Sequence, residues 1–462
     1  GWSPDLPQIP LGNSSKNRKT AWMPEIRTVN MLVEKSETNL YTGVDHIQRP
    51  GMVTFSDVGT GPIRGVFRQA GTLAGDFISV SGDELYRTTD QGVSTKIGDV
   101  PGSLRTSIAA TSARLIVASD GVAYSTSGAA PVQVAMPDDR LVSSVAQLNG
   151  YFIFAELDSA RFYWTEPGQT DPDGLSFATT ESTPSYIRVV VRVGDELWFL
   201  KEEGTEVWVP TGDADLPFQR VPGRNYDRGC RNGDTAVRFD NTLVWVGNDG
   251  IVYRAAESPV RISGNALEEQ IRKSEPASMR AWSFAIDGHS LYCLTLSSGT
   301  YAFDAYSGVW SEFQSYGRDA WRAHVGDQGE TFTVAGDDEI GRLYRLDAEV
   351  ANDAGNPLTR IVTGGVPVAG QPVRCDSLQV MMTTGTADDP NLYPKARISW
   401  SDDMQTFGDF EDVSIGRTGR YGEPVRLNRL GVMRYPGRLF RIQVTDDCVA
   451  TIHAAAFNEP VR

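Results

Sequence analysis

Short apolar strands recur along the chain in pairs, each pair joined by a turn and its second member ending in aromatics. Between about residues 62 and 350 we count seven such pairs: 77–80 with 85–86, 115–118 with 122–124, 151–154 with 162–164, 197–200 with 207–208, 243–246 with 251–253, 291–294 with 301–303, and 332–334 with 343–346. Several of the turns carry a glycine beside a polar residue, as in Asp120-Gly121 and Asp249-Gly250, and suit the positive φ angles of tight hairpins. A small-residue or apolar strand precedes each pair, centred near Val66, Ile108, Val145, Val189, Ala236, Phe284 and Ala323. The mean spacing is about 43 residues, the length of a four-stranded propeller blade. Small first strands suit a crowded propeller centre, and the later aromatics can fill the wedges between blades. A β-helix would need a shorter repeat, and a pair of sandwiches gives no reason for seven similar units. The expectation is an all-β chain with a β-propeller of seven blades, six or eight being the near alternatives.

The flanks depart from this repeat. Residues 264–273 read as a short helix with an Asn cap, Leu267 and Ile271 on one face and basic residues in the last turn, inserted between blades. The polar run at 12–20 reads as a tail or arm. Beyond the Gly/Pro-rich stretch 363–372, strands at 377–382 and 396–400 suggest a β-sandwich-like platform, for which both chain ends can supply strands. The expected division is 1–50 arm and platform strands, 51–350 propeller, and 351–462 platform domain.

Charge and composition narrow the function. The formal charge of −16 over 462 residues argues against a sequence-independent nucleic-acid binder. No stretch approaches the roughly 18 apolar residues of a membrane span, and the first residues lack the features of a signal peptide. The chain therefore reads as soluble and made inside the cell. Its four cysteines and four histidines show no metal-ligand spacing, so neither a metal site nor a disulfide is expected, and Cys293 reads as a small buried thiol. There is no G-x-S-x-G and no phosphate-binding loop, and His46, His289 and His324 read as packing or surface residues. Residues 401–407 are similar to the Asp box of sialidases but one residue short and without its glycine. They read as a turn held by its own aspartate. No catalytic, cofactor-binding or metal-binding residue is assigned, and the chain is not expected to be an enzyme.

One cluster stands against the acidic background. Between Ser414 and Arg441 lie Arg417, Arg420, Arg426, Arg429, Arg434, Arg438 and Arg441 against the single acid Glu423. They should form a basic patch on an otherwise acidic body, either as solvated faces of ordinary strands or as a docking surface for an acidic partner or for neighbouring subunits. The first six are the candidate partner-contact residues.

The run Arg27-Thr28-Val29-Asn30-Met31-Leu32 followed by Gln48-Arg49-Pro50-Gly51 resembles the opening of the packaged-DNA stabilisation proteins, the tail-nozzle subunits of short-tailed double-stranded-DNA bacteriophages. Arg64-Gly65-Val66, the helix around 266–272, the Ser401-Asp402-Asp403 turn, the arginine-rich strands at 426–441 and the ending near 448–458 agree in order. The resemblance implies a homo-hexameric ring in the virion tail, made in the bacterial host cytoplasm. Such a ring extends the portal–adaptor channel, helps retain packaged DNA and forms the conduit for its ejection. The implied partners are the head-to-tail adaptor, a tailspike or tail fibre, and a tail needle or plug. DNA would pass through the lumen without sequence-specific binding, and no direct membrane insertion is implied. The rival readings are a propeller-type glycan hydrolase or glycan-binding protein, and a host-type propeller scaffold.

Overall fold

The computed structural model describes residues 8–12, 15, 26–37, 39 and 41–458. Apart from Gly12 and Ser15, the polar run read as an arm lies outside them.

Seven blades are formed by the described residues. Their inner strands are Ile63–Phe67, Ser107–Ala110, Val142–Leu148, Ile187–Val193, Val237–Phe239, Arg280–Ile286 and Ala323–Gln328. These fall at or beside the centres marked by the sequence spacing. The centre is crowded enough to require glycine: a Cβ on Gly65 would sit 2.1 Å from Thr106 Oγ1 of the next blade, and one on Gly326 would sit 2.5 Å from the Trp282 ring. Between blades the aromatics fill the wedges as expected. Phe162 lies 4.3 Å from Phe199 and meets Trp208 edge-on at 5.1 Å, packing that adds to the hydrophobic gain of burying the rings.

Blade 7 is closed by a strand from the other end of the chain. Its three C-terminal strands, ending with Arg342–Asp347, take Gly51–Asp57 as the outermost member, from Arg342 opposite Asp57 to Asp347 opposite Gly51. The ring is thus fastened by hydrogen bonds between segments nearly 300 residues apart.

Blade 6 extends outward instead of ending. Its outer strand Val309–Phe313 pairs with Thr28–Val29, which leads to Arg360–Pro367, Gly437–Val444, Lys395–Ser401 and Glu411–Ser414. A second sheet of Met31–Lys35, Val44–Gln48, Thr451–Phe457, Ser377–Met382 and Val425–Asn428 packs on this extension. Alternation does the work: Phe440, Ile442 and Val444 of one sheet face a core shared with Leu378, Val380 and Ile452 of the other.

The inserted helix, Asn265–Lys273, buries Leu267 and Ile271 as its spacing predicts. Its cap differs. Gly264 holds the N-cap position, and Asn265 Oδ1 accepts a hydrogen bond from Arg261 Nη2 at 2.9 Å instead of capping the helix.

Candidate functional site

The segments at 27–31 and 48–50 form the joint between propeller and sandwich. Arg27 pairs with Glu312 on the outer strand of blade 6 at 2.5 Å. Asn30 turns the chain at φ 55° and donates from Nδ2 to the Gln314 and Thr359 carbonyls at 3.1 and 2.7 Å. Its Oδ1 accepts from Arg49 Nε at 2.8 Å. The Arg49 side chain is wholly buried, forks onto Asp353 at 3.0 and 2.6 Å, and lies 4.9 Å over the Trp321 ring. Next to it, Arg360 donates to Gln48 Oε1 at 2.8 Å and to the carbonyls of Val444, Asp446 and Cys448. Burial pulls the Arg360 guanidinium below its usual pKa. A network with this many directional bonds fixes one angle between the two bodies, whereas a purely apolar contact could slide.

The arginines of the C-terminal segment do not form one patch. Arg438 is 3% exposed; it pairs with Asp402 at 2.6 Å, donates to the Leu430 carbonyl and lies over Trp400. As a contact for a partner it is withdrawn into the domain, because a carboxylate 36 residues away in sequence and an aromatic face hold it there. Arg426 is half-buried and donates to Asn428 and Ser377. Arg441, also half-buried, stacks 3.8 Å over Phe407.

Arg417, Arg420, Arg429 and Arg434 are exposed and, among the described residues, their side chains make no ion pair or hydrogen bond. They lie at opposite ends of the sandwich. Arg417 and Arg420 sit in a loop hydrogen-bonded to the 385–394 loop, through Gly419 N to the Gly385 carbonyl and Ile415 N to the Pro394 carbonyl. Tyr421 and Tyr393, 75% and 66% exposed, share that end. Arg429 and Arg434 lie past the other end of the strand pair Ser377–Met382 and Val425–Asn428, roughly 20 Å away at 3.3 Å per residue, with Tyr435.

The propeller's central channel is bridged at one end. Arg105 precedes the inner strand of blade 2, and its Nη1 reaches across to the Asp234 carbonyl of blade 5 at 3.2 Å and to the Ala281 carbonyl of blade 6. Beyond that bridge remains a cavity of about 290 Å³, walled by inner-strand residues such as Ala109, Ala146 and Val190.

Two family models match, one described as "Bacteriophage P22 Gp10, beta-propeller" over residues 7–351 and the other as "Bacteriophage P22 Gp10, beta-sandwich" over 359–458. The chain belongs to the P22 Gp10 family. It is therefore a structural protein of the phage tail-nozzle, DNA-stabilisation class, a component of the virion tail. No curated protein matches the chain. Among solved structures, the β-propeller domain of Cps50 (Swd1) from Myceliophteria thermophila is 13% identical at TM-score 0.43, with 64% of this chain and 99% of that one covered. The extracellular domain of the one-component system BT4673 from B. thetaiotaomicron is 10% identical at TM-score 0.44, covering 86% and 62%. At these scores neither adds to what the sheets themselves show.

In this Gp10-family chain the segments that carried the resemblance take definite places. The 27–32 and 48–51 runs build the joint, a role that sequence reasoning missed because Asp353 lies 304 residues from Arg49. Arg64, on the inner strand of blade 1, is buried and donates to the Gly82, Val100 and Leu104 carbonyls. The 401–407 segment is a turn: Asp403 Oδ1 accepts from Ser401 Oγ and from the Gln405 and Thr406 amides, which hold its pKa well below the usual carboxylate range.

The histidines serve packing. His46 Nε2 faces the Gly12 carbonyl at 3.2 Å, and His324 Nε2 faces the Ile63 carbonyl at 2.7 Å. His289 pairs with Asp304 at 2.8 Å, with Ser307 on the same carboxylate oxygen and not on the imidazole. All four cysteines are buried and unpaired, and burial pushes the Cys448 thiol up to about 11.

Proposed function

We propose that this chain is the repeating subunit of a tail-nozzle ring, six copies as the family resemblance implies, made in the host cytoplasm before joining the virion. The lumen lies between subunits and not through any one propeller. The observation that carries this reading is the Arg105 bridge across the propeller channel. A DNA major groove alone is about 12 Å wide, so no duplex fits past it.

Charge supports the same arrangement. Residues 51–350 hold a net charge of −16, the whole excess of the molecule, while 351–462 are within one charge of neutral. An acidic wall repels phosphates and lets DNA slide, where a basic wall would grip it through many contacts. The acidic propeller also suits the exposed sandwich arginines of an adjacent copy, since Arg forks onto carboxylates and, with tyrosine, is enriched at interface hot spots. The Arg417–Arg420 end with Tyr393 and Tyr421 is assigned to the neighbouring subunit. The Arg429–Arg434 end, on the far side, is assigned to the next tail component: adaptor, tailspike or fibre, or needle or plug. A structural role without catalysis completes the reading.

The test is native mass measurement of the full chain, alone and with a portal–adaptor complex. Six-copy assembly in either sample is expected. A monomer in both contradicts the proposal.

A further inference from the structure

We propose that the propeller's central cavity is a binding site for a small organic oxyanion, a carboxylate or phosphate ester, separate from the surfaces used in assembly. The cavity of about 290 Å³ is lined by the inner strands of five successive blades. Its floor is the Arg105 bridge, whose guanidinium is held by backbone carbonyls. Carbonyl dipoles orient this cation without neutralising it, and burial drives its pKa down, the mark of a charge short of compensation.

Toward the other end of the inner strands stand two further cations. Arg192, near the end of the blade 4 strand, donates to Gln147 Oε1 at 3.0 Å and to the Gly194 carbonyl at 2.9 Å, with no carboxylate against it among the described residues. Arg238, on the neighbouring blade 5 strand, is exposed and makes no ion pair among the described residues. Carboxylates nearby are few. Asp234 shares the lining at the floor, where burial raises its pKa, and Asp327 on blade 7 is near enough to feel Arg238. Within a propeller of net charge −16, a recess lined by three arginines and one aspartate is a local inversion of sign. Its low-dielectric Val and Ala walls concentrate that field on whatever enters.

The shape selects size. A recess closed at its floor admits a compact molecule with an apolar body and a charged group, and excludes a polymer that must pass through. A polyanion such as DNA could touch Arg238 at the rim but could not reach the floor.

The test uses the intact chain, titrated calorimetrically with inorganic phosphate, citrate and glucuronate at low salt. Saturable binding of at least one probe is expected, weakened tenfold or more by Arg192→Gln and by Arg238→Gln and unchanged by Arg374→Gln, an exposed sandwich arginine paired with Asp376 and outside the cavity. Preference for phosphate assigns the ligand to phosphate esters, and preference for glucuronate or citrate to carboxylates. No saturable binding of any probe, or binding that both rim substitutions leave unchanged in variants that unfold at the wild-type temperature, overturns the proposal.

Discussion

In blade 7, Arg342 lies 2.6 Å from Asp57, Arg322 lies 2.7 Å from Asp337, and Arg318 lies 2.5 Å from Asp338. In the sandwich, Arg417, Arg420, Arg429 and Arg434 stand exposed without a carboxylate against them among the described residues. The same residue type closes blade 7 internally and leaves the ends of the sandwich open. The joint between propeller and sandwich follows blade 7's pattern in extreme form, with Arg49 and Arg360 buried and their contacts turned inward. Arginine therefore marks two functions here. Where it is paired it fixes geometry, and where it is unpaired it is open to the acidic contact proposed above.

The sharpest way to break this contrast is at the joint. Arg49→Ala leaves Asp353 buried without its partner and removes a cation from the Trp321 face, and should cost about 3–5 kcal/mol in denaturant unfolding. Arg438→Ala should cost less, about 1–3 kcal/mol, because Asp402 is 59% exposed and water can take over its solvation, leaving the Leu430 carbonyl and Trp400 contacts as the loss. If Arg438→Ala is silent, its placement inside the domain is wrong and it rejoins the exposed set.

A third test reads pH. His324 is buried neutral, its pKa pulled down to about 3 by desolvation and by the nearby Arg280 and Arg105, with the Ile63 carbonyl and Asp337 pulling the other way. Between pH 6.5 and 3 the unfolded chain binds a proton that the folded chain does not. Its contribution is complete above about pH 6.5 and is lost as pH falls, at up to about 1.4 kcal/mol per pH unit. His324→Gln should flatten that acid limb, as measured by denaturant midpoints from pH 7 to 4. The smallest effect belongs to the exposed set: Arg417→Ala with Arg420→Ala should move folding stability by about 0.5 kcal/mol or less.

Much of the propeller was legible because its signal is local. Each blade repeats a small inner strand and an aromatic pair within about 43 residues, and packing in a ring demands that repeat. What sequence could not place were contacts between distant segments. The outer strand of blade 7 comes from Gly51–Asp57, and nothing in those residues alone points to Arg342–Asp347. The cluster at 417–441 read as one basic patch because linear spacing hides that a strand pair separates its ends and that Asp402 folds back onto Arg438. The Asp403 turn was legible because its donors lie within three residues of it.

If unpaired sandwich arginines on one copy meet the acidic propeller of the next, reversing their charge keeps the copies apart. Sedimentation velocity of Arg417→Glu with Arg420→Glu, beside wild type at low and physiological salt, reads assembly while far-ultraviolet circular dichroism confirms folding. A folded monomer is expected for the variant under conditions where wild type assembles, with wild-type assembly weakening as salt rises. An assembly of unchanged size and affinity in the charge-reversed chain would contradict it.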